Sequence, residues 1–170
     1  MAKFVIKFPL VFLLTFTHCT TQSAPEVSSN LKLLKTESGE WKKALVYLEE
    51  TSGSVAPNYR YSKTIKISAD KKGLYFFRKD TKSDAVITNL NLSLTEDSYQ
   101  KLMLQLLDLG LHNIPFEKEP KNKITGVSYN KISFQLGDLK TEFYYLLENL
   151  KQKEFKQKTV IIETLKRITP

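Results

Sequence analysis

The chain has 170 residues, with 26 Lys and Arg against 18 Asp and Glu, a formal net charge of +8 and a hydrophobic share of 41%. That length suits one domain, and the composition excludes intrinsic disorder, a collagen-like repeat and a polytopic membrane protein as descriptions of the whole. A single Cys excludes an internal disulfide, and 2 His exclude a Cys/His zinc cluster.

The N-terminal segment places Lys3 and Lys7, with no acid, ahead of the apolar run Leu10, Val11, Phe12, Leu13, Leu14 and Phe16, broken by Thr15. This is a positive n-region followed by an h-region of roughly 7–10 residues, too short for a bilayer core of about 30 Å, which takes ~20 apolar residues. An export signal over residues 1–18 is expected. The run stops at Thr17-His18-Cys19-Thr20-Thr21, with the chain's one Cys at the junction. A thiol there has a chemical use, because attack on a diacylglycerol donor makes it a thioether carrying two acyl chains.

These residues resemble a bacterial lipoprotein signal in a relaxed, spirochaete-like form. The usual pattern has Leu three residues before the Cys and a small residue directly before it, whereas Phe16, Thr17 and His18 precede Cys19 here and Leu14 stands further back. The resemblance covers residues 1–25 and implies that Cys19 carries the lipid, palmitate among its acyl chains, and becomes the mature N-terminus. The partner it implies is a membrane of the cell envelope, reached through the lipid on Cys19. Acyl burial contributes about 0.8 kcal/mol per CH₂, so two or three chains hold where one binds reversibly. Two other outcomes stay open at this point: an ordinary secretory cut after Ala24, which releases a soluble adhesin or inhibitor, and an uncleaved signal anchor.

Residues 19–30 are the lipidated Cys19 and, after it, a stretch of residues 20–30 holding Ser, Thr and Pro with a single Val. Such a stretch buries too little to offset its ordering entropy and reads as a flexible tether of roughly 18 Å reach. Loss of residues 1–18 removes Lys3 and Lys7 and so lowers the net charge of +8 by two, leaving the positive charge mainly on the exported part.

Residues 31–170 contain no second Ser/Pro linker and no fixed-period repeat, and read as one globular domain. Lys43 to Glu50 is a strand running into the loop Thr51-Ser52-Gly53-Ser54. Tyr59, Tyr61, Ile65 and Ile67 alternate with Arg60, Ser62, Thr64, Lys66 and Ser68, the period of a half-buried strand. Asp70-Lys71-Lys72-Gly73 turns the chain into Leu74 to Arg78, completing a hairpin. Val86, Leu90, Leu92 and Leu94 alternate with Ile87, Asn89, Asn91 and Ser93 as a third or fourth strand.

After Thr95 the period changes. Thr95 is an N-cap, Glu96 and Asp97 suit a helix N-terminus, and Tyr99, Leu102, Met103, Leu106 and Leu107 share one helical face. Gly110 stops this helix near Leu109, with Leu111 folding back on Leu106. Pro115 and Pro120 frame a charged loop, Glu117 to Lys123. Ile132 and Phe134, the turn Gly137-Asp138, then Leu139, Thr141, Phe143 and Tyr145 make a second hairpin. Phe155, Ile161, Ile162, Leu165 and Ile168 share one side of a terminal helix, with Lys153, Lys156, Lys158 and Lys166 on a solvated side. The expected class is therefore α+β: an antiparallel sheet of hairpins with two helices packed on one face, in the order strands, helix, hairpin, helix. The same rhythm is similar to that of several small exported bacterial domains and implies no activity.

The six glycines lie too far apart for a dinucleotide-binding or phosphate-cradling loop, and no G-x-S-x-G elbow occurs. No cofactor and no metal ligand set is expected. Once residues 1–18 are removed, His112 is the only His, so a hydrolase would have to be built around it; as a surface group near a helix C-terminus it has an electrostatic explanation as well. Glu49 and Glu50 point to opposite strand faces, Glu96 and Asp97 serve the helix dipole, and Glu117 and Glu119 sit among lysines. Tyr59-Arg60-Tyr61 and Phe76-Phe77-Arg78-Lys79 interleave aromatics with cations, but strand alternation accounts for them and no nucleic acid is expected. Trp41 reads as core. The function expected is that of a non-enzymatic, membrane-anchored envelope lipoprotein with a binding or structural role toward a protein or polyanionic partner; the alternatives are an exported hydrolase centred on His112 and a secreted adhesin or inhibitor.

Overall fold

A computed structural model describes residues 29–121 and 127–170. The signal at 1–18, Cys19, most of the tether and Lys123 lie outside the described residues. Six strands form one sheet in the order β4-β3-β2-β1-β5-β6, every neighbouring pair antiparallel. They are β1 (Ala44–Thr51), β2 (Tyr61–Asp70), β3 (Gly73–Lys82), β4 (Ala85–Ser93), β5 (Asn130–Leu136) and β6 (Leu139–Tyr145), and the α-helices are α1 (Ser29–Leu34), α2 (Glu96–Asp108) and α3 (Lys156–Arg167). The class is α+β.

Strands β1 to β4 run as a meander because each turn is local. Asp70 pairs with Gly73 across the first tight turn, where Asp70 Oδ1 accepts from Lys72 N–H at 2.7 Å. The β3–β4 turn puts Ser83 and Asp84 at φ 50° and 63°, the left-handed conformation that favours Gly. Ser83 is held there by its N–H and hydroxyl, which donate to Arg60 and Asn58 carbonyls at 2.8 and 3.0 Å. The α2 crossover then carries the chain to the far side of β1, where the β5–β6 hairpin completes the sheet.

One face of the sheet is apolar and buried. Ala44, Val46 and Leu48 of β1, Ile65, Ile67 and Ala69 of β2, Phe76 of β3, Ile132, Phe134 and Leu136 of β5 and Phe143 of β6 join the buried residues of α2 and α3 in a single core. In α2 those are Tyr99, Leu102, Met103, Leu106 and Leu107, the five positions that the helical period selects, each full burial contributing about 1.5–3 kcal/mol. The Thr95 hydroxyl accepts from Ser98 N–H at 3.2 Å. Gly110, at φ 79°, donates to the Leu107 carbonyl at 2.8 Å and ends the helix as expected. Trp41 is half-buried, edge-on to Tyr99 at 5.1 Å with Lys35 over its ring.

Three expectations change. Ser29 and Asn30, read as the end of the tether, form the first turn of α1, and Asn30 Nδ2 donates to Asp108 Oδ1 at 2.6 Å. Tyr59 is not part of β2: it sits in a 3-10 turn, Pro57–Tyr59, and is 71% exposed, because Pro57 favours a helical first position over continued strand. The Phe76 to Lys79 stripe, by contrast, follows the strand alternation expected of it, with Phe76 in the core and Lys79 in solvent. The lysine side of α3 is not wholly solvated. Lys153 and Lys156 are exposed, but Lys158 pairs with Glu117 and Lys166 with Glu50.

Candidate functional site

Strand register sets a polar row across one end of the covered face. Glu50 pairs with Lys63, Lys63 with Asp80 and Asp80 with Thr88. On the other side Glu49 opposite Lys131 sets Asn130 beside Glu50, and Asn130 pairs with Tyr145. Glu50 is 4% exposed because it is in phase with Ala44, Val46 and Leu48.

The carboxylate of Glu50 is fully engaged. Lys166 Nζ lies 2.6 Å from its Oε2, Tyr145 donates to the same oxygen at 2.8 Å, and Tyr61 OH stands 3.5 Å from Oε1. Lys166 also reaches Glu163 at 3.3 Å. Burial, then the charge of Glu50, then its hydrogen bond raise the Tyr61 phenol to about 12, and the same three causes in the same order raise Tyr145. Beside this cluster Arg78 holds Asp80 Oδ2 through Nε and Nη2 at 3.0 and 2.8 Å, while its Nη1 takes the Lys166 carbonyl at 3.1 Å. Charges so enclosed fix α3 against β1 and β3.

At the Lys63–Asp80 end of this row the chain opens a cleft of about 350 Å³ whose walls include Tyr59, Arg60, Lys63, Asp80, Lys82 and Ile87. It is cationic at the rim, with the exposed Tyr59 ring beside it. All three residues of the Tyr59-Arg60-Tyr61 motif line the cleft; Tyr61 also reaches Glu50, and Arg60 lies 3.5 Å from Asp84.

His112 sits in a 3-10 turn, Leu111–Asn113, directly after Gly110. Its Nδ1 is buried and makes no hydrogen bond. Among the described residues no His, Cys, Asp and Glu side chains cluster in threes as a metal would need. The other carboxylates are placed as their neighbours dictate. Glu96 and Asp97 occupy the first turn of α2, and Glu117 pairs with Lys158.

Glu117 belongs to a strap over the β6 edge. Its N–H donates to the Glu142 carbonyl at 2.7 Å, its Oε2 accepts from Tyr144 N–H at 3.3 Å, and Thr141 Oγ1 donates to the Ile114 carbonyl at 2.9 Å. The opposite edge, β4, is different. Val86, Ile87, Leu90 and Leu92 are 55%, 63%, 37% and 40% exposed, and no charged residue lies between Ala85 and Thr95.

Sequence reasoning missed the Glu50–Lys166, Arg78–Asp80 and Glu117–Lys158 pairs. A signal existed for the first two, since Glu50 continues the inward phase of Val46 and Leu48, and Arg78 and Asp80 that of Phe76. Compared with known proteins, the chain matches no protein-family model, no curated protein and no solved structure.

Proposed function

We propose that this chain is a membrane-anchored lipoprotein of the bacterial cell envelope, attached through Cys19, whose domain acts by binding and not by catalysis. The observation that carries the anchor is the succession of Lys3 and Lys7, the apolar run and Cys19. The observation that favours binding is that Glu50, Asp80 and Glu117, the best-placed carboxylates, are each held by a cation of the fold itself. The accessible chemistry lies at the cleft, where Arg60, Lys63 and Lys82 beside Tyr59 suit a polyanionic partner.

Two measurements test this reading. Intact mass of the mature protein should show an acylated N-terminus at Cys19, and detergent-phase partitioning should vanish in Cys19→Ser; partitioning that persists would defeat the anchor. For binding, dextran sulfate should be retained at low ionic strength and released by salt, with the triple variant Arg60→Ala/Lys63→Ala/Lys82→Ala weakened at least ~10-fold. Equal binding by that variant would remove the cleft from the function.

A further inference from the structure

The geometry points to β4 as a self-pairing edge, through which two copies of this chain join their sheets about a two-fold axis at Asn91. β4 is the terminal strand of the sheet, so among the described residues one side of its backbone has no strand partner. Leu94 N–H donates to the Leu74 carbonyl at 2.8 Å, toward β3. Strand alternation then directs the N–H and C=O of Asn89, Asn91 and Ser93 outward.

Proteins ordinarily blunt such an edge with Lys, Pro, a bulge or a covering segment. Here β6 has its strap, and among the described residues β4 has a bulge alone: Asp80 pairs with Thr88 but Thr81 with Val86, so the register skips Ile87. The regular part of the edge runs from Thr88 to Leu94, just before the N-cap Thr95, and its midpoint is Asn91.

The sequence about that midpoint is close to a palindrome in chemistry. Leu90 mirrors Leu92, and Asn89 mirrors Ser93. An antiparallel copy in this register exchanges about six backbone hydrogen bonds through Asn89, Asn91 and Ser93, and it sets Leu90 against Leu92 of the second copy in the closely spaced non-hydrogen-bonded positions. The half-exposed leucines thereby acquire apolar partners. A chain of net charge +8 would in general repel itself, and this edge is the stretch where no side chain carries charge. A second copy is therefore the occupant that matches it in both polarity and register. The inference does not depend on how the chain is attached.

The experiment uses the full chain as Cys19→Ser, with single cysteines added on β4 and diamide as oxidant. Asn91→Cys is expected to form disulfide-linked dimers. Asn89→Cys alone is not, since its two copies would stand about 13 Å apart along the strands, but Asn89→Cys mixed with Ser93→Cys is. Sedimentation of the Cys19→Ser chain should show a reversible dimer, weakened at least ~10-fold by Asn91→Lys, an exposed change expected to leave thermal stability intact. A monomer at all concentrations up to roughly 100 µM would overturn the proposal, and so would cross-linking of Asn89→Cys as fast as Asn91→Cys.

Discussion

Lys166 Nζ lies 2.6 Å from Glu50 Oε2, with the two side chains 14% and 5% exposed, so the last turn of α3 is fastened to β1 by a buried charge pair at the edge of the apolar core. Removing a charge from water is costly, and the pair persists because Tyr145 and Glu163 add further contacts.

Breaking that pair from one side should therefore cost more than deleting it. Lys166→Met leaves the Glu50 carboxylate buried without its cation and is expected to lower unfolding free energy by about 3–5 kcal/mol. The double variant Glu50→Leu/Lys166→Met should lose less than the two single changes added together. Urea denaturation of the four proteins measures the coupling, and strict additivity would show that the residues do not interact.

Tyrosine ionisation should set the alkaline limit of the fold. Tyr61, raised to about 12, and Tyr145, raised further, both hold their protons more tightly when folded than at the ordinary value of 10.0. A raised value gives a contribution that is whole below 10.0 and fades as pH climbs through the folded value. Stability is expected to be steady up to about pH 10 and to fall above it, with part of the phenolate absorbance emerging only as circular dichroism is lost. Tyr145→Phe should flatten that decline. Complete ionisation of every phenol in a protein with native circular dichroism would contradict the burial.

Glu142 predicts an acid limb of opposite sign. Burial alone would raise its value, but hydrogen bonds from Tyr144, Lys131 and Ser133 and the charge of Lys131 outweigh it and hold the carboxyl below 4.5. A lowered value gives stability that is present above 4.5 and disappears as pH falls through the folded value. Glu142→Gln is expected to lose less stability on acidification than the parent, read from thermal midpoints across that range. Equal acid slopes would count against the role of this network.

The ends of α2 offer a backbone test. Gly110→Ala should destabilise by about 1–2 kcal/mol because an L side chain resists a positive φ, here 79°. The added Cβ would also stand 2.6 Å from Gln157 Nε2, whose bond to the Leu109 carbonyl would shift. Thr95→Ala should cost about 1 kcal/mol through the lost cap. Chemical denaturation reads both, and a neutral Gly110→Ala would refute the strained closure.

Local pattern made α2 and both expected hairpins readable, because Thr95, Gly110, Gly73 and Gly137 punctuate periods that burial then obeys. The turn at Ser83 and Asp84 carried no glycine and was invisible, since contacts from Arg60 and Asn58 stabilise it. In β4 the alternation of Leu90 and Leu92 was present, yet both stay more than a third exposed; periodicity reports a pleat, and only the tertiary layer decides whether that pleat is covered. The phase of Val46 and Leu48 turns Glu50 inward, but its cation, Lys166, lies far along the chain and nothing local identifies it. Lys158 and Lys166 read as solvated for the same reason: their acids come from other elements. The cleft was legible in part, since Tyr59-Arg60-Tyr61 supplies three of its lining residues, whereas Lys63 and Lys82 reach it only through the β2–β3 register.

The strap that lies over β6 has a consequence for how far sheets can merge. With Glu142 and Tyr144 already bonded to Glu117, that margin offers an incoming strand no continuous ladder. Any growth from β4 stops after one addition, because each newcomer brings a sealed far side, and a closed pair is reached where two free margins would permit an unending filament.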